Sequence, residues 1–198
     1  MRKTKGHTGV GGGKSCAAAV TRRSLLRLGA IALIGGVLPR TALGELGQPQ
    51  PQQRSLSFFN THTGERLRAV YWEKGRYIGE SLAGINQILR DHRANEVENI
   101  DIQLLDLLFS LQNKLETSGP LHVISGYRSA NTNAALRAAG SGVAQNSLHC
   151  IGKAIDIRVP SRELRVLHQA AVALKGGGVG YYPRSDFVHV DVGRVRYW

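Results

Sequence analysis

"NSLHCIGKAIDIRV", residues 146–159, is the stretch on which the reading of this chain turns. Its second half alternates: Ile155, Ile157 and Val159 fall on one face of a strand, and Ala154, Asp156 and Arg158 on the other. The isoleucine face belongs in a core, which turns Asp156 toward whatever covers the opposite side. His149 precedes the strand across a turn at Gly152 and can fold back toward Asp156. "DFVHVDVG", residues 186–193, repeats the pattern, with Val188, Val190 and Val192 on one face and Phe187, His189 and Asp191 on the other. An imidazole between valines on a short strand is costly to bury without a partner. His149, Asp156 and His189 together make a His₂Asp set: three N/O donors with one position left for water, as a catalytic zinc requires. On spacing alone, polar residues that merely flank two strands remain the alternative.

Outward from these stretches, the chain mixes helices and strands without regular βαβ alternation. "SLSFFNTHTGERLRAVYW" (55–72) reads as a hairpin around a polar turn. Helical periodicity follows near 81–92 and again over 101–116, where Leu104, Leu107, Leu108, Leu111 and Leu115 form one stripe. Asp101 or Asn99 can cap that second helix, and Gly119-Pro120 stops it. A strand over 121–128, a short helix over 131–140, the strand 153–160, a helix closed by Gly176–Gly178, and two short strands complete the chain. The expected class is α+β, a small antiparallel sheet with helices packed against it.

The formal charge of +12 is concentrated at one end. Residues 1–44 carry eight basic residues and no acidic one, which leaves eighteen basic against fourteen acidic, or +4, over residues 45–198. Nucleic acid is therefore not an expected partner. "TRRSLLRLGAIALIGGVLPRTALG" (21–44) has a basic start, an apolar run from Leu28 to Leu38 and small residues at its end, the plan of an export signal. Thr21-Arg22-Arg23-Ser24-Leu25-Leu26-Arg27 resembles the twin-arginine signal, with Leu25 where phenylalanine is usual. The apolar run is too short to span a bilayer, so no stable membrane span is expected after signal removal. "GVGGGKS" (9–15) is no phosphate-binding loop, because Thr8 stands where that motif needs glycine. The expected organisation is a signal peptide over 1–44, a Gln/Pro-rich flexible linker over 45–54 and one domain over 55–198. Cys150 is alone after the signal, so no internal disulfide forms, and nothing argues for more than a monomer.

"NSLHCIGKAIDI" carries a Ser-x-His-x₂-Gly-x-Ala-x-Asp pattern that resembles the signature of the zinc-dependent D-Ala-D-Ala peptidases of bacterial cell walls. "SGYRS" (125–129) upstream is similar to a second signature of that group, and "KGGGVGYYPRSDFVHVDVGRVRYW" (175–198) resembles the end of its murein endopeptidase K (YcbK-like) branch. The resemblance covers roughly residues 55–198 and implies the fold shared by the hedgehog domain and the D-Ala-D-Ala peptidases. It implies a periplasmic metallopeptidase that hydrolyses crosslinks between peptidoglycan stem peptides, with Zn²⁺ held by His149, Asp156 and His189. Asp186 matches the position of the general base, where the family has glutamate, and a bend near Phe187 is needed to bring it to the side of His189. Asp191 is the reserve for that role, or accepts the outer N–H of a ligand histidine. Arg128 matches the arginine that stabilises the developing oxyanion. Ser147 and Tyr127 are expected to contact substrate or support the site, and Tyr181 and Tyr182 are candidates for lining the groove. Within the same resemblance, a D,D- or L,D-carboxypeptidase and a non-catalytic wall-binding module stay open.

Overall fold

Among the described residues eight strands form one sheet; counted in chain order, they lie side by side as third, second, first, fourth, fifth, seventh, sixth and eighth. The computed structural model describes residues 52–140 and 142–198; the export segment over 1–44 and nearly all of the linker lie outside the described residues. The expected hairpin is β1 (Gln53–Asn60) and β2 (Arg66–Glu73), paired antiparallel. β3 (Arg76–Tyr77) extends it at the edge. Gln53 and Arg54 belong to β1, although composition assigns them to the linker. Arg54 is held there by the Asp106 carboxylate at 2.7 Å, which also accepts from the Tyr71 and Tyr77 hydroxyls.

α1 (Gly79–Ile88) and α2 (Ile102–Lys114) follow. Asp101 caps α2 as expected, its side chain accepting from the Gln103 amide at 2.8 Å. The buried stripe of α2 is Leu104, Leu105, Leu108 and Leu111; Leu107, expected in the stripe, is half-buried, and Leu105 takes its place. β4 (Leu121–Ser125), α3 (Ala130–Ala138), β5 (Ala154–Arg158) and α4 (Leu164–Leu174) come next, then β6 (Gly178–Tyr182), β7 (Phe187–Asp191) and β8 (Arg196–Tyr197).

The class is α+β as the sequence indicates, but the sheet is larger than expected and not wholly antiparallel. β1 pairs parallel with β4, and β6 parallel with β8. β3 and β8 are two residues each, too short for any periodicity to show. α2 packs on β1, α4 on β6 and β7, and the two helices touch. Beneath them lie Ile155, Ile157, Val188 and Val190, all buried, each worth about 2 kcal/mol of hydrophobic stabilisation. Because side chains alternate, Asp156 and His189 are driven to the opposite face. The register sets Asp156 directly across from His189 on the antiparallel β5–β7 pair.

Candidate metal centre and its cleft

A single 3₁₀ turn over Leu148–Ile151 places His149. Ser147 caps it, its hydroxyl accepting from the His149 amide at 3.3 Å. The turn ends at Gly152, whose φ of 66° is left-handed. A side chain at Gly152 would also run into the Asn99 carbonyl, so glycine is required three residues after the histidine on both counts. Gly126, in "SGYRS", is pressed equally closely against the Leu89 carbonyl. That contact aims its own carbonyl at His149, whose Nδ1–H donates to it at 2.7 Å.

His149 is thereby held with Nε2 facing inward. His189 is held the other way round: Nε2–H donates to Asp191 at 3.0 Å, leaving Nδ1 facing inward. The two inward nitrogens lie 3.2 Å apart. Asp156 Oδ1 stands 2.9 Å from His189 Nδ1 and 3.3 Å from His149 Nε2. Tetrahedral ligands about 2.0–2.1 Å from a zinc ion are themselves about 3.3 Å apart, so this triangle is the size a zinc ion needs. Three converging acceptors repel each other unless a cation sits among them, and both outer ring nitrogens are already occupied. The donor set fits the metal.

The electrostatics agree. Burial works to raise the Asp156 carboxyl, but the charges and hydrogen bonds of His149 and His189 outweigh it and hold it far below the ordinary carboxylate range. Burial likewise opposes charge on His189, yet its hydrogen bonds to Asp156 and Asp191 push its pKa up, so a proton between His189 and Asp156 relieves the same repulsion that a bound cation would relieve in its place. Asp191 is fully buried and accepts from the Gly178 and Gly193 amides at 3.0 and 2.8 Å and from Arg196 at 2.7 Å. These bonds, with that of His189, override the effect of burial and keep it ionised.

Above the triangle opens a cleft of about 390 Å³, lined by His149, Asp156, His189 and Arg128 below, by the 142–148 segment on one side, and by Tyr182, Phe187, Arg196 and Trp198 on the other. Arg128 is 8% exposed and its guanidinium approaches Asp156 at 3.6 Å, with Ser125 and Asn133 as further partners at 3.2 and 3.5 Å.

Of the residues expected from sequence, His149, Asp156, His189, Arg128 and Ser147 meet in the cleft, and Tyr182 joins its wall. Tyr127 and Tyr181 instead pack against the hydrophobic core, since the strand and turn carrying them face that way. Asp191 sits behind His189, the position of an N–H acceptor rather than of a base. Asp186 does not line the cleft: its carboxylate binds Arg158 at 2.6 Å, and its φ of 54° provides the bend before Phe187. Asn133, Arg196 and Trp198 were not singled out by sequence. Arg196 and Trp198 lie in the 175–198 stretch quoted above, which attached no chemical role to them, and Asn133 acts from inside a helix, tying Arg128 to the Ala144 carbonyl at 3.1 Å.

The donor triangle, open to the cleft, offers a metal ion three protein ligands and one free position. A profile of the family described as "Peptidoglycan L,D-endopeptidase MepK" matches residues 48–198. Peptidoglycan L,D-endopeptidase MepK of Escherichia coli K12 is 46% identical over 177 residues, covering 89% of this chain and 96% of that protein. The probable peptidoglycan L,D-endopeptidase MepK of Haemophilus influenzae is 41% identical over 178 residues, covering 89% and 95%. The chain belongs to this family of peptidases.

Proposed function

We propose that the protein is an exported zinc metallopeptidase that hydrolyses peptide crosslinks of peptidoglycan, with His149, Asp156 and His189 as ligands. The observation that carries this is the donor triangle, sized for zinc and open toward a cleft beside a buried arginine. A zinc ion held there supplies an electrophile that polarises a carbonyl and acidifies water.

The chain's own groups do the rest. Arg128 is fixed by Ser125 and Asn133, so its guanidinium presents donors to the oxygen that gains charge at the scissile carbonyl. Gly126 and Asp191 hold the two imidazoles in orientation. We assign the proton to Asp186, whose chain neighbour Phe187 lines the cleft; its carboxylate must exchange Arg158 for the cleft to act. On this proposal the protein leaves the cytoplasm through a twin-arginine signal over 1–44 and acts in the periplasm, which the arginine pair Arg22-Arg23 and the apolar run behind it support.

The test is a muropeptide profile of isolated peptidoglycan treated with the purified protein. Chelator-sensitive loss of crosslinked dimers is expected. Release of terminal D-alanine without loss of dimers would make the protein a carboxypeptidase, and an unchanged profile from zinc-loaded protein would remove the peptidase reading. Asp186→Asn is expected to lower kcat at least about 10²-fold; an unchanged kcat would take the proton away from Asp186.

A further inference from the structure

The two walls of the cleft are chemically unlike. One carries Gly142, Val143 and Ala144 with the polar Asn146 and Ser147 and with Leu148; the other is largely aromatic, with Arg196 beside its rings. Trp198 is 49% exposed and Tyr182 38%. Both are tied to neighbouring side chains. The indole N–H donates to the Tyr182 hydroxyl at 2.7 Å, and the Tyr182 ring stacks on Phe187 with centroids 4.6 Å apart. The Trp198 backbone is bonded to both Val179 and Tyr181 of β6. Gly180, directly across from His189, leaves the space in which the indole lies; a Cβ there would stand 2.7 Å from the ring. The indole centroid is consequently 5.3 Å from that of His189.

A large aromatic surface that is exposed yet already held by contacts with its neighbours has less conformational freedom to lose on binding, which is the character of a recognition hot spot. We propose that Trp198, Tyr182 and Phe187 form the subsite for the hydrocarbon portion of the stem-peptide residue beside the scissile bond. The inference rests on the peptidase reading above and names what that site grips. Stem peptides offer an apolar wall only methyl groups and the methylene chain of the crosslinking residue. Arg196 lies over the indole at 5.0 Å, but both its terminal nitrogens are engaged by Asp191. The wall therefore offers hydrocarbon contact rather than charge. Sugar rings also stack on indole, but the glycan joins the stem at the end away from the crosslink, whereas Trp198 is in contact range of a metal-ligand histidine.

The experiment measures KM and kcat of zinc-loaded wild type, Trp198→Ala and Trp198→Phe on crosslinked dimers with and without their disaccharides, alongside zinc content. Trp198→Ala is expected to raise KM about tenfold or more with kcat little changed and zinc retained, and Trp198→Phe to recover most of the loss. Removing the sugars should leave that ratio unaltered. In a Trp72→Phe background Trp198 is the only indole, and its emission should respond to titration with the sugar-free tripeptide stem. An active wild type with unchanged KM in Trp198→Ala overturns the subsite alone. A fall in kcat at constant KM, or an effect that vanishes without sugars, also overturns it. A wild type inert on dimers overturns the peptidase reading and this inference with it.

Discussion

His62 and His92 lie ring on ring, their centroids 4.1 Å apart and their planes at 12°, whereas His149 and His189 are 5.0 Å apart and tilted by 58°. The closer pair is the poorer metal site. His62 is exposed and engages only the Ile124 carbonyl, and burial, followed by the charges of His62 and Arg93, lowers the pKa of His92. Asp91, next to His92 in sequence, directs its carboxylate to the amides of Ser129, Arg93 and Ala94. In the other pair each ring donates outward, to Gly126 and to Asp191, and faces Asp156 inward. What makes two histidines a ligand pair is a fixed acceptor behind each ring and a shared anion in front, not the distance between rings.

The strongest way to break that contrast is to remove its two sides in turn. His149→Ala or Asp156→Asn is expected to lose stoichiometric zinc and lower kcat/KM about 10³-fold or more, because polarisation by the metal is worth several kcal/mol. His62→Ala and His92→Ala should leave zinc content and kcat/KM unaltered; an equal loss from either set would erase the distinction. Next, Asp191→Asn leaves every ligand in place but removes the charge behind His189 and one of the two oxygens that it shares with Arg196 and the Gly178 and Gly193 amides, so zinc affinity measured by competition with a chelator should weaken about 10–100-fold.

A smaller effect separates the two buried aspartates that flank histidines. Burial tends to raise Asp91, but hydrogen bonds from Thr132 and Ser129 dominate and bring its pKa down to about 2. A depressed carboxylate stabilises the fold above its ordinary pKa of about 4, and that contribution, on the order of 2 kcal/mol, is lost as pH falls toward 2. Acid titration of stability should be visibly shallower in Asp91→Asn. Smallest of all, the single His62→Ala change should move stability by no more than about 0.5 kcal/mol in a denaturant melt.

The site was legible in sequence where one residue's geometry implies the next. Alternation in "KAIDIRV" and "DFVHVDVG" was enough to put Asp156 and His189 on one side of two strands, and the register then made them neighbours. Gly152 was readable as a turn, although the reason it must be glycine, the Asn99 carbonyl, comes from a segment fifty residues upstream. Asp186 could not be placed from its offset to His189, because the left-handed bend and the pairing with Arg158 depend on a different strand. Tyr127 shared a motif with Arg128, yet successive residues of an extended segment point apart, so one reaches the cleft and the other the core. The parallel junctions of the sheet and the two-residue edge strands leave no periodic trace at all.

His149 and Asp156 are near in sequence, but His189 arrives from 33 positions beyond Asp156. An ion held by them as proposed above would act as a removable clasp on that length of chain, which includes α4 and the β6–β7 hairpin. Closing a loop of this size costs about 3 kcal/mol of chain entropy, so the clasp stabilises the closed form by restricting the open one. Withdrawal of the ion should therefore loosen the β6–β7 half of the sheet, registering as faster amide exchange there, well before the β1–β2 hairpin responds.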